Sequence, residues 1–239
     1  MKITDFSTLT FDCYGTLIDW ETGLLAVLRP WADRHRLAVS DDDLLAAMGR
    51  HESRLQRARA GAIYPDLLAD LMRALGDDFR VRVSDAEATA LGASIKDWPA
   101  FPDSPEALRY LAGHYRLVVL SNVDNASFVH SNAKLGVTFD AVYTAEDIGS
   151  YKPDPRNFHS MLDKLGEQGI AKGDILHTAQ SLFHDIEPAK AIGLVTNWIN
   201  RRHDKPGPGA TPPATATPDF EFPSLAAFAA AHRAASSGR

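Results

Sequence analysis

The chain has 239 residues, 45% hydrophobic and 23% charged, an ordinary globular balance with enough length for a sizeable core. Its formal net charge of −6 disfavours a general affinity for nucleic acid or for an anionic membrane surface. One cysteine, Cys13, excludes an intrachain disulfide, no Cys/His cluster has zinc spacing, and no apolar run approaches the roughly 20 residues that span a bilayer. The first residues lead straight into a strand pattern without a signal-type apolar region, so a cytoplasmic location is expected.

In chain order, residues 8–12 read as a short buried strand ending on Asp12 and closed by the turn Tyr14-Gly15-Thr16. Residues 18–97 hold four helix-like segments, 40–59 and 65–75 among them, and no convincing strand. They read as a helical cap inserted after the first strand, and the proline-punctuated stretch 97–102 marks the return to the core. Strand patterns follow at 117–120, 141–144, 175–178 and 195–199. Helical patterns at 104–113 (N-cap Ser104, then Pro105), 125–135, 155–165 and 185–192 lie between and around them. Residues 203–218, rich in Pro, Gly, Thr and Ala, are expected to form a mobile loop. A last strand at 220–223 precedes an Ala-rich helix at 224–233 capped by Ser224. The expected fold is α/β: a Rossmann-like parallel sheet core with helices on both faces, residues 1–17 and 98–239, and an inserted helical cap, residues 18–97.

In open α/β sheets, ligands bind beyond the carboxyl ends of the strands, where Asp12 stands, although an aspartate there also suits a turn cap. Asp12-Cys13-Tyr14-Gly15-Thr16 resembles the first motif of the haloacid dehalogenase superfamily, Asp-x-x-Gly-Thr. Leu120-Ser121-Asn122 resembles the second, Lys152-Pro153 the third, and Asp185, after the strand at 175–178, the acidic end of the fourth. Four motifs in order, over residues 8–202 apart from the cap, identify the chain as resembling that superfamily.

The resemblance implies roles. Asp12 is the nucleophile that forms an ester with the substrate. Lys152 keeps Asp12 ionised by its opposite charge, the alternative being an ordinary solvated lysine. Thr16 fixes the Asp12 rotamer, and Asp185 pairs with Lys152 or positions water. Ser121 and Asn122, with backbone N–H groups after Asp12, bind anionic oxygens of the substrate, and Tyr14 is counted with them. Ser121 also suits a helix N-cap.

Phosphatases of this superfamily carry a second aspartate two residues after the nucleophile, where this chain has Tyr14. An alkoxide needs a proton to leave and a halide does not, so Tyr14 favours carbon–halogen cleavage. In the fourth motif Gln180 stands where an acidic magnesium ligand is usual, so a hard cation loses an oxygen ligand. The resemblance therefore implies a 2-haloacid dehalogenase with no metal and no cofactor. Its partner is a small-molecule substrate, a short halocarboxylate; apolar cap helices are compatible with a homodimer. The implied cap cation for the substrate carboxylate has Arg50, Arg54, Arg57 and Arg59 as candidates, each also readable as a solvated helix face. Trp20 and Tyr64 read as packing residues that could line a pocket, His184 as a surface histidine that could instead help handle water, and Cys13 as a small packing residue. Phe158, Gln180 and Leu182 depart from the 2-haloacid dehalogenase pattern. The alternatives are a magnesium-dependent phosphatase of a small phosphomonoester and a non-enzymatic binding module.

Overall fold

The computed structural model describes residues 1–205, 207 and 209–237. Six strands form one sheet: β1 (Thr8–Phe11), β2 (Arg116–Ser121), β3 (Ala141–Thr144), β4 (Ile175–Ala179), β5 (Val195–Ile199) and β6 (Phe220–Phe222). All pair in parallel, in the order β3-β2-β1-β4-β5-β6. The winding reverses at β1, so the crevice beyond the carboxyl ends of β1 and β4 is the place for a ligand.

β1 is buried at every residue, as a strand covered on both faces must be. Alternation sends Leu9, Phe11, Leu117, Val119 and Leu176 to one face and Val118, Leu120 and Ile175 to the other. The first face packs on α5 (Ser104–Leu111), α6 (Asn125–Leu135) and α10 (Leu225–Ser237) through Leu108, Phe128 and Phe228. The second packs on α8 (Pro155–Glu167) and α9 (Glu187–Ala191) through Phe158, Met161 and Ala189. Between β3 and α8 lies a single short turn of helix, α7 (Ala145–Ile148).

Between β1 and β2 the chain forms α1 (Trp20–Arg34), α2 (Asp41–Ala58), α3 (Tyr64–Phe79) and α4 (Asp85–Ala93), each packed on another of the four. Ser40 caps α2 and Ser84 caps α4, each in a reciprocal capping box. The segments that leave and re-enter the sheet layer run antiparallel. The Asp19 N–H donates to the Pro99 carbonyl (2.8 Å) and the Phe101 N–H to the Leu17 carbonyl (3.0 Å).

Three local expectations are corrected. Residues 185–192 do not form one helix: Leu182–Ile186 is a π-helical turn, and α9 begins only at Glu187, with Pro188 at its second residue. The α6 N-cap is Asp124, whose carboxylate accepts from the Ser127 N–H, not Ser121. The stretch 203–218 contains Pro206 and Pro208, which lie outside the described residues, but the residues after them are fixed. Ala210 is fully buried, its N–H donates to Glu21 (2.9 Å), and the Thr211 hydroxyl donates to Gln180 (3.3 Å). Gly49 makes this approach possible: a Cβ there would stand 2.1 Å from the Ala210 carbonyl oxygen. Among the described residues, no helix is long and apolar enough to cross a membrane.

Candidate active site

Asp12 follows the last residue of β1, and its N–H donates to the Thr178 carbonyl at 3.1 Å, extending the sheet by one residue. The chain then turns sharply. The N–H groups of Leu17 and Ile18 both donate to the Cys13 carbonyl (2.8 and 2.9 Å), and Gly15 adopts φ +93°, a conformation that costs glycine little. The turn brings the Thr16 hydroxyl 2.6 Å from Asp12 Oδ2, while the Gln180 N–H donates to Thr16 Oγ1 at 2.8 Å. One carboxylate oxygen is thereby oriented, and the turns after β1 and β4 are tied together. The Cys13 side chain is fully buried, and burial pushes its thiol well above the usual range.

Lys152 reaches the same place from the loop before α8. Asn122 clamps its backbone, accepting the Lys152 N–H (2.7 Å) and donating to its carbonyl (3.0 Å). The side chain is 1% exposed, so it is not a solvated lysine. Its ammonium donates to Asp12 Oδ1 (3.0 Å), Asp185 Oδ1 (2.6 Å) and the Leu120 carbonyl (2.8 Å). Those bonds use all three of its donors.

Asp185 is delivered by the π-helical turn, a local rewinding frequent at functional sites. His177 on β4 braces it: Nε2 lies 3.1 Å from Asp185 Oδ1, and Nδ1 lies 2.8 Å from the Thr10 hydroxyl. Two buried carboxylates thus share one buried ammonium. Burial lowers and the two carboxylates raise the Lys152 pKa, with a net upward direction, so the group stays cationic. Burial pushes Asp185 up, but Lys152 and His177 outweigh it and hold the carboxyl low. For Asp12 burial wins, helped by the charge of Asp185 and opposed by Lys152 and Thr16, and its pKa is raised.

These groups line a cavity of about 30 Å³, room for a water or two, together with Tyr14, Trp20, Asn122, Ser181 and Thr211. Helices α2 and α3 supply Glu52, Gln56 and Tyr64. The Tyr14 hydroxyl is engaged with Ser131 at 2.8 Å, leaving its ring to face Tyr64 and Trp98. Ser121 Oγ is buried and has no hydrogen-bond partner among the described residues. A neighbouring cleft of 440 Å³ shares Gln56 and Lys152 with the cavity and includes Arg57 and Phe183.

Several readings change here. His184 is buried on the cavity wall, 8% exposed, with burial depressing its pKa to about 4; its ring is neutral near pH 7. Its Nδ1 meets Ser181 Oγ at 3.2 Å, while Nε2 has no partner among the described residues. None of the candidate cap arginines lines the Asp12 cavity. Arg50 pairs with Asp78, Arg54 meets His51, Arg59 pairs with Asp70, and Arg57 faces the adjoining cleft. Sequence reading missed Glu52 and Gln56, which are spaced one helical turn apart on the buried stripe of α2 and signal only packing. Thr211 was hidden in a segment that reads as loop.

A divalent cation does not fit this donor set. Asp12 and Asp185 already share the Lys152 ammonium, Gln180 offers an amide where a carboxylate would be needed, and its oxygen accepts from Thr211. Among the described residues, no three acidic, histidine or cysteine side chains gather as a cation site.

The site thus sets a carboxylate at the switch point of a parallel sheet against a buried ammonium. The family model for haloacid dehalogenase-like hydrolases matches residues 6–193, and the chain belongs to that family. It is 26% identical over 209 residues to an (S)-2-haloacid dehalogenase of Pseudomonas putida, covering 82% of this chain and 85% of the relative. With the (S)-2-haloacid dehalogenase of Pseudomonas sp. strain YL it shares 28% identity over 240 residues, 92% of this chain and 91% of the other. The fold is also that of an L-2-haloacid dehalogenase from Xanthobacter autotrophicus, solved with chloropropionic acid covalently bound, with a TM-score of 0.76. That pair shares 20% identity over 95% of this chain and 98% of the other.

Proposed function

We propose that the protein hydrolyses the carbon–halogen bond of short 2-haloacids, giving 2-hydroxy acids through an ester on Asp12. The observation that carries the reading is the buried contact of Asp12 with Lys152, 3.0 Å, beside a cavity that also holds Asp185 and His184. In this reading residues 18–97 act as a cap over a core of residues 1–17 and 98–239, in a cytoplasmic enzyme.

In the first step an Asp12 carboxylate oxygen attacks the α-carbon, the C–O bond forms as the carbon–halogen bond breaks, and halide leaves with the bonding pair. Lys152 keeps the attacking group anionic, and Thr16 fixes its rotamer. The Ser121 hydroxyl, without a partner among the described residues, and the N–H groups of Cys13 and Tyr14, which make no backbone hydrogen bond among them, are the donors on this side for the substrate's oxygens. Asn122 acts by positioning Lys152, and Tyr14 by its ring. In the second step water attacks the ester carbonyl of Asp12 and the hydroxy acid is released. The neutral His184 ring and the Asp185 carboxylate, each with a buried atom lacking a partner among the described residues, suit the task of taking the water's proton and returning it to the departing alkoxide oxygen, which leaves as the hydroxyl of the product.

The reading predicts chloride release from 2-chloropropionate, unaffected by EDTA, and no phosphate release from a phosphomonoester panel. EDTA-sensitive phosphate release without chloride release would replace it with the phosphatase reading. Because attack requires the carboxylate and burial raises the Asp12 pKa, activity is lost as pH falls through a midpoint above the usual aspartate value of 3.8. A pH–rate profile for chloride release checks this.

A further inference from the structure

The cap side of the cavity holds a carboxyl group where a cation is expected. Glu52 is 4% exposed, lies on the cavity wall, and accepts a hydrogen bond on Oε1 from the Tyr64 hydroxyl at 2.6 Å. Among the described residues Lys152 is the only lysine or arginine on that wall, and its three donors are spent on Asp12, Asp185 and Leu120. With Asp12 and Asp185 opposing one ammonium, the cavity is already one negative charge in excess. An ionised Glu52 would make it two, and an incoming carboxylate would meet no free positive charge.

We infer that Glu52 is the cap residue that receives the polar arm of the substrate, entering the complex as a neutral carboxylic acid that donates through Oε2 while Tyr64 holds Oε1. The inference rests on the aspartyl-ester reading and narrows its substrate. The arm must accept a hydrogen bond, but it need not be charged, so a 2-halocarboxamide belongs to the substrate class beside the 2-halocarboxylate. Gln56, one turn along α2, brings an amide to the same wall. An O–H donor to a carboxylate makes a short, charge-assisted bond, which replaces part of what an arginine would supply.

The surroundings agree. Burial, with the charge of Asp12, pushes the Glu52 carboxyl up to about 7 against the pull of Tyr64. The titratable groups around it are Tyr64 on α3, Asp12 and Tyr14 after β1, and Tyr151 and Lys152 before α8. His184 and Asp185 face it from the turn after β4. Of these only Lys152 is cationic near pH 7, and it is already paired twice.

Propionate and propionamide serve as unreactive probes of the arm, with binding to the intact protein followed by calorimetry from pH 6 to 8.5. Propionate affinity is expected to fall about tenfold per pH unit above pH 7, while propionamide affinity falls much less, because its N–H2 can turn to donate to the ionised carboxyl. Glu52→Gln should flatten the propionate profile, and Tyr64→Phe should displace its midpoint. A flat propionate profile in the unaltered protein, an unchanged slope in Glu52→Gln, or no binding of either probe would overturn the inference. Halide release is scored separately with 2-chloropropionate and 2-chloropropionamide. Failure of both as substrates, with the binding profiles as expected, would count against the reaction and not against the role of Glu52.

Discussion

The two walls of one small cavity are built on opposite principles. The sheet wall is charged: Asp12, Lys152 and Asp185 compensate one another in a dry setting, each held by backbone turns and by Asn122, Thr16 and His177. The cap wall is neutral or nearly so: Glu52 with Tyr64, Gln56 and Trp20 on α1 to α3. The contrast separates tasks. In the proposed reading, the groups that make and break bonds stand on the sheet edge, while those that meet the rest of the substrate stand on helices joined to it by two antiparallel crossings near Leu17 and Pro99.

The contrast can be broken from either side. The largest effect is expected from Asp12→Asn: halide release should fall by a factor on the order of 10⁴ or more with the circular dichroism spectrum unchanged. Turnover near the original rate would remove Asp12 from the mechanism. Lys152→Ala leaves two buried carboxylates facing each other without their shared cation, and should lower unfolding stability in urea by roughly 3–5 kcal/mol. An unshifted midpoint would show that the ammonium is not what makes the sheet wall tolerable.

Smaller effects are expected at the cap. A carboxyl that ionises near 4.5 in the unfolded chain and near 7 in the fold favours the folded state fully at low pH, and that contribution is lost as pH rises through about 7. Between pH 4.5 and 8 the protein should lose on the order of 3 kcal/mol through this group. Glu52→Gln should remove the loss, and parallel stability profiles for the two proteins would contradict the assignment. The smallest effect is expected from Gly49→Ala, whose methyl group meets the Ala210 carbonyl and should cost about 1–3 kcal/mol by overpacking. Thermal unfolding measures it.

The two walls also differed in how readable they were. The sheet wall was legible because its chemistry is written at strand ends: Asp12 closes an apolar run, Ser121 and Asn122 close another, and Lys152 is marked by the proline that follows. Parallel topology then brings those ends to one edge. The cap wall was not, because a helical stripe containing Glu52 and Gln56 looks like any half-polar face until the partner surface is known, and Arg50, Arg54 and Arg57 on the same helix offer the more obvious charges. A histidine beside an acidic residue reads as a surface group; the π-helical turn Leu182–Ile186 places His184 on the cavity wall instead. Thr211 was obscured by composition. A Pro/Gly-rich stretch carries no sign that Glu21 and Gly49 will anchor it.

The central claim concerns one oxygen atom, and a single turnover in heavy-oxygen water, with enzyme in excess over 2-chloropropionate, follows it directly. The account predicts that the heavy isotope enters the Asp12 peptide, while the first hydroxy acid released carries the ordinary oxygen that Asp12 gave up. Heavy oxygen in that first product, with the Asp12 peptide unlabelled, would mean that water attacks the substrate itself and would contradict the ester mechanism.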